Sequence, residues 1–236
     1  MKYKYKIIFL KQDVFRLSTF IFWILSIISA GSIIFSIEYL GGNFSIHNVY
    51  AMFTTISEWL ILFCAVNLFG REYQFKTINM IRVSNKNFTE ILLRKWMIMM
   101  IICVLTAFIS LIEVVAYAVI FGHEIDLIQL TGRLLLAYCI YGGFVFLFAT
   151  TLVTLIKNTL YTFIVTLVSL VFIPLIINII SIINISLNIS NFIPFCFMRN
   201  SFSFACFSRK QVAIMVVWSI LLFVISNMLL KKKGYV

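Results

Sequence analysis

Two carboxylates stand where hydrocarbon is expected. Glu58 lies in the apolar run 49–68 and Glu113 in the run 96–121. A carboxylate in a bilayer core is costly unless it faces a cavity, a hydrogen-bond partner or another charge. Glu58 lies roughly ten residues and Glu113 about eight from the outer ends of these runs. At about 1.5 Å per residue, both then sit roughly 12 to 15 Å below one surface. Two roles are open for acids at a shared depth. They can line a polar substrate path, or they can sit protonated or hydrogen-bonded and hold helices together. Glu38, at the outer end of the run 17–39, reads as a surface anchor.

Other chemistry is missing from the pattern. None of the nine glycines opens a G-x-x-x-x-G-K-[ST] phosphate loop, so the chain cannot bind ATP by that route. HExxH, GxSxG and a Ser/His/acid set that the runs could gather are absent as well. The two histidines, His47 and His123, stand alone, and the five cysteines form neither CxxC nor a Cys/His cluster, so no metal site is indicated. Cys64, Cys103 and Cys139 fall inside apolar runs and read as small hydrophobes. Cys196 and Cys206 share a segment expected outside, where a disulfide and two free thiols are both open. The chain reads as a non-enzyme with no catalytic residue, no metal ligand and no cofactor of its own.

The elements that must position these residues follow from composition. The 236 residues are 63% hydrophobic and 11% charged, with a mean hydropathy of +1.08. That leaves too little polar surface to coat a soluble globule, whereas a bilayer accepts such a chain directly. The expected fold is an all-α integral membrane protein, one transmembrane domain over 1–236. Six spans are predicted at 17–39, 49–68, 96–121, 134–156, 160–183 and 212–230, each near the roughly 20 residues that a bilayer requires.

Basic residues orient these spans. Fifteen of the nineteen fall in the amino terminus, the segment 69–95, Lys157 and the run Lys231 to Lys233. Arg133, Arg199, Arg209 and Lys210 are left for the other face. The positive-inside pattern therefore puts both termini in the cytoplasm. Residues 1–16 alternate Lys2, Lys4, Lys6 and Lys11 with Ile7, Leu10 and Val14, which reads as an interfacial amphipathic helix. Pro174 predicts a kink or a break in the fifth span. Residues 184–211 scatter phenylalanines among Asn and Ser, which predicts an outer re-entrant or interfacial hairpin turned by Pro194 and Asn200. The formal charge of +11 is explained by these clusters beside apolar spans and not by nucleic acid.

The segment 69–95, FGREYQFKTINMIRVSNKNFTEILLRK, is the most patterned of the linkers. It carries six basic residues, yet Phe75, Ile78, Ile81 and Val83 recur at near-helical intervals among them, as in a helix that docks on a partner. Asn87 and Glu90 have the spacing of a capping box for a fresh helix. The segment reads as a cytoplasmic elbow that touches another protein.

With these residues in view, the chain resembles permease subunits of ABC transporters of the ABC-2 type. The family shows an acid, a Gly-Thr pair, aliphatic positions and a turn between its second and third spans. Here Glu72, Thr77, Ile78, Ile81, Ser84 and Lys86 occupy that pattern, followed by Arg94 and Lys95, with Lys76 in place of the usual glycine and no proline near Ser84. The layout of amphipathic amino-terminal helix, six spans, coupling elbow and outer re-entrant segment is similar over almost the whole chain.

The resemblance implies a separate ATP-binding cassette subunit, holding ATP and magnesium, docked on Arg71, Glu72, Thr77, Ile78, Ile81, Ser84 and Lys86. It implies a second permease subunit, identical or related, and a path past Glu58 and Glu113. Short permeases of this kind resemble exporters of bacteriocins and of cytolytic amphipathic peptides such as phenol-soluble modulins, and those conferring lantibiotic immunity. The expected place is a bacterial plasma membrane. Export of drugs, lipids or polysaccharide, or movement of sodium, is the alternative within the family. An intramembrane enzyme or a scaffold is the alternative outside it.

Overall fold

The computed structural model describes residues 13–75, 77, 88–183 and 189–232. Among them the chain forms seven α-helices and no strand: α1 Leu17–Leu40, α2 Ile46–Gln74, α3 Phe88–Phe121, α4 Leu127–Ile156, α5 Thr159–Ile183, α6 Pro194–Ser203 and α7 Arg209–Lys232. All but α6 are long and apolar enough to cross a membrane. Six such helices make a multi-pass membrane protein. In hydrocarbon every backbone polar group must find its partner inside the chain, and the α-helix provides this segment by segment.

The helices outrun the apolar runs that predict them. α3 has 34 residues, a length of about 51 Å, against a hydrocarbon core of about 30 Å. Its first two turns, Phe88 to Lys95, therefore continue a span into the polar elbow. α2 does the same through Gly70, Arg71, Glu72 and Tyr73 to Gln74. The remainder of the elbow, 76 and 78–87, lies outside the described residues, as do 1–12 of the expected interfacial helix.

Pro174 sits inside α5, which runs continuously from Thr159 to Ile183, so of the kink or break expected there the break is absent. One expectation changes. In the segment before α7, Asn200 is no turn. A 3-10 turn, Ile189–Phe192, leads into α6, which starts on Pro194, a residue suited to a first helical position because its missing N–H would have no partner there. The reversal comes after Ser203. Ala205 takes a left-handed conformation, φ 46°, and the Cys206 amide donates to the Ser201 carbonyl at 2.8 Å. All five cysteines are free thiols.

The chain divides into two compact units. The first comprises the described parts of 1–60, 100–139 and 200–207. In it, Trp23 Nε1 of α1 donates to Thr106 Oγ1 of α3 at 3.0 Å, and Ser57 of α2 meets Tyr138 of α4, hydroxyl to hydroxyl. The segment that follows α6 is pinned to α2. Thr54 Oγ1 donates to the Ser203 carbonyl at 3.2 Å and the Tyr50 hydroxyl to that of Phe204 at 3.3 Å. α1 closes with Gly41 in the left-handed region, φ 65°, so that the Gly42 amide reaches the Ser36 carbonyl at 3.0 Å.

The second unit comprises the described parts of 61–99, 140–199 and 208–236. Polar side chains again staple its helices. Thr151 of α4 meets Ser226 of α7 at 2.7 Å, and Thr89 of α3 donates to Asn227 of α7 at 3.0 Å. Phe195 of α6 packs edge-on against Phe144 and Phe148 of α4, with ring centroids 5.5 and 5.0 Å apart. Many buried hydroxyls donate to a carbonyl one turn earlier, Thr166 of α5 to Thr162 in its own helix and Thr162 to Asn158 just before it. They are thereby satisfied without a partner helix.

Candidate functional site

The elbow is built from the ends of α2 and α3, both in the second unit. Glu72, in the last turn of α2, places Oε1 3.0 Å from Lys95 Nζ of α3. Its other oxygen, Oε2, accepts from the Thr77 hydroxyl. One carboxylate thus ties the end of the second long helix, the start of the interhelical segment and the second turn of the third. The pair is only partly shielded from solvent, Glu72 at 19% and Lys95 at 16% side-chain exposure. At that exposure the energy of the ion pair is modest, and its main effect is geometric. The arrangement ties Thr77 to two spans at once.

Of the residues expected to dock a partner, Arg71, Glu72 and Thr77 are placed, with Arg71 exposed on α2. Ile78, Ile81, Ser84 and Lys86, with Lys76, Val83 and Asn87, lie outside the described residues. Phe75 adjoins the site and is exposed, its amide donating to the Arg71 carbonyl. Lys95 reads from sequence as one basic residue among six. The structure makes it the partner of Glu72, a pairing that no spacing within one helix could signal.

Behind the elbow, the Thr159 side chain of α5 packs against the backbone of α2 at Gly70. A Cβ built there would meet Thr159 Cγ2 at 2.8 Å, and Thr159 Oγ1 donates to the Gly70 carbonyl at 3.3 Å. Only a glycine admits that approach.

The two acids of the expected path fall in the first unit. Glu58 of α2 is 8% exposed. Glu113 of α3 is half-buried, and its Oε2 is buried with no hydrogen-bond partner among the described residues. Tyr138 of α4 meets the acid-bearing α2. It is fully buried and bonded at 2.8 Å to Ser57, next in sequence to Glu58. The surroundings are rich in hydroxyls, with Thr54, Ser57, Thr106 and Ser110 all buried. A carboxylate oxygen left unpaired in such a core is an acceptor awaiting a proton, a water or a cationic group.

At the carboxyl-terminal end of α1, Glu38 has partners on α3 and the turn after it. Its Oε1 accepts from the Tyr117 hydroxyl at 2.7 Å and lies 3.2 Å from His123 Nε2. His123 therefore does not stand alone, and the trio ties α1 to the end of α3 and its following turn. Among the described residues no three His, Cys, Asp or Glu side chains gather in a group that could hold a metal ion. In α6, burial pushes the Cys196 thiol above its ordinary pKa. No protein-family model matches the chain, and no curated protein sequence matches it either.

Proposed function

We propose that the chain is the membrane-spanning permease subunit of an ATP-driven exporter of the ABC-2 type, carrying amphipathic or antimicrobial and cytolytic peptides out of the cell or its membrane. In this reading it lies in the bacterial plasma membrane with both termini in the cytoplasm. It pairs with a second permease subunit, and a separate ATP-binding cassette subunit holds ATP and magnesium.

The observation that carries the reading is the Glu72 bridge to Thr77 and Lys95. A segment that receives force from a partner can move a span only if it is fixed to that span. Glu72 fixes it to α2 and α3 together. The resemblance at Glu72, Thr77, Ile78, Ile81 and Ser84 supplies the partner. The missing phosphate loop accords with nucleotide hydrolysis on another chain. The buried hydroxyls and the unpaired oxygen of Glu113 offer polar groups to a peptide ammonium or amide passing through otherwise apolar helices.

Affinity purification of the tagged protein from its own cells tests this, with identification of co-purifying chains and an ATPase assay with amphipathic peptides. A stoichiometric ATP-binding subunit whose hydrolysis changes with peptide supports the reading. Recovery of the chain alone, stable and with a turnover that requires Glu113, replaces it with an intramembrane enzyme.

A further inference from the structure

The second unit contains a cavity of about 700 Å³ between the end of α2 and the α4–α5 turn. That volume is within the range of sites that hold a small ligand. Its two walls share one polarity gradient. Along α2, Phe63 and Val66 line the deep part, Asn67 the middle, and Tyr73 and Gln74 the helix end, a distance of about 16 Å. On the other wall Lys157, Asn158 and Thr159 lie at the turn, and Leu160 and Phe163 lie deeper in α5. A soluble ligand gains little from such a gradient. An amphiphile with a polar head and an acyl chain matches it on both sides.

The head is selected by what stands at the turn. Lys157 makes no ion pair among the described residues, and its side chain is exposed at the cavity. It also occupies a left-handed backbone conformation, φ 59°, where a glycine or an asparagine would cost less. The amides of Leu160 and Tyr161 already have an acceptor in Asn158 Oδ1, at 2.9 and 3.2 Å. The lysine ammonium, and not the helix end, is therefore the group that would hold an anion. One ammonium suits one phosphate diester. The amide oxygen of Gln74, at the helix end, can accept from a hydroxyl on the same head. A headgroup bearing its own ammonium would be repelled by Lys157.

We propose that this cavity binds one anionic, hydroxylated phospholipid of the phosphatidylglycerol class, phosphate on Lys157 and one acyl chain against Phe63 and Phe163. Basic pockets between spans are a recurring way to hold anionic headgroups. The site does not depend on the transport reading.

Native mass spectrometry of the full chain in mild detergent, titrated with phosphatidylglycerol or phosphatidylethanolamine of identical acyl chains, tests it. The expected result is one phosphatidylglycerol adduct, with phosphatidylethanolamine held about tenfold more weakly. Lys157→Asn, which suits the backbone and removes the charge, should lose about tenfold in phosphatidylglycerol affinity, and Lys157→Arg should keep it. Inorganic phosphate should leave the adduct in place. Equal binding of the two lipids by the wild-type chain would overturn the proposal, whatever the variants do. Undiminished binding by a folded Lys157→Asn protein would overturn it as well. Displacement of the lipid by phosphate would also do so, and would assign the cavity to a soluble anion.

Discussion

Ser57 and Tyr138 meet hydroxyl to hydroxyl at 2.8 Å, both side chains fully buried, and so join α2 to α4 one residue from an acid. Interhelical hydrogen bonds in membranes average about 0.6 kcal/mol and reach about 1.7 kcal/mol. A double-mutant cycle of Ser57→Ala and Tyr138→Phe should give a coupling energy in that range by reversible unfolding in detergent. A coupling of zero would mean that the pair does not hold the helices.

Glu72 and Lys95 should behave oppositely in stability and in coupling. The ion pair is partly solvated, so Glu72→Gln should change the melting temperature little. Charge reversal, Glu72→Lys, should leave the protein in the membrane yet disconnect peptide-stimulated ATP hydrolysis in the complex. A bulky polar residue at Ile81 should do the same. Full stimulation in the charge-reversed protein would move the docking site elsewhere.

Gly70→Ala forces a methyl group to within 2.8 Å of Thr159 Cγ2. Overpacking of this kind costs about 1–3 kcal/mol. Thr159→Ala removes the obstructing atoms, so the double variant should recover much of the loss in thermal unfolding.

Glu113 separates stability from use. An unpaired buried oxygen is a cost to the folded state, so Glu113→Leu should raise thermal stability. If the residue lines the transport path, export of amphipathic peptide should fall in the same variant. A stable variant with unchanged export would make Glu113 a packing residue only.

The cysteines give a pH-dependent check on α6. Burial raises the Cys196 thiol, so less of it is thiolate near neutral pH, whereas Cys206 is exposed. Alkylation in a protein keeping only these two cysteines should therefore be faster at Cys206 at pH 7. The Cys196 rate should rise as the pH is raised. Equal rates across the range would mean that Cys196 is solvated.

The six long helices were legible because a bilayer demands roughly 20 apolar residues and the chain supplies six such runs. Their ends were not. Tyr73 and Phe88 belong to helices that continue beyond the apolar runs, and that continuation is favoured by a contact between distant positions, Glu72 with Lys95. Asn200 was misread because Asn and Ser mark turns in general. Yet Phe195, Met198 and Phe202, spaced at three and four, are all buried, the helical signal that lay beneath the polar residues. The acids at 58 and 113 were legible as oddities of composition. That Tyr138 bonds to the residue beside Glu58 was not, since it comes from another helix.

The hydroxyls of Thr166 and Ser169 are bonded to carbonyls of α5 itself, both at 2.7 Å, and that of Thr162 to the Asn158 carbonyl just before the helix, at 2.6 Å. Those bonds travel with the helix. If α5 turns or slides against a neighbour, none of the three has to break, and the resistance they would otherwise add is absent. What opposes such a slip is the contact of Thr159 with Gly70 at the start of the helix and, beyond it, dispersion between apolar side chains, which is lost and regained in many small steps. The energy barrier to displacement of α5 should therefore be nearly independent of Thr162, Thr166 and Ser169.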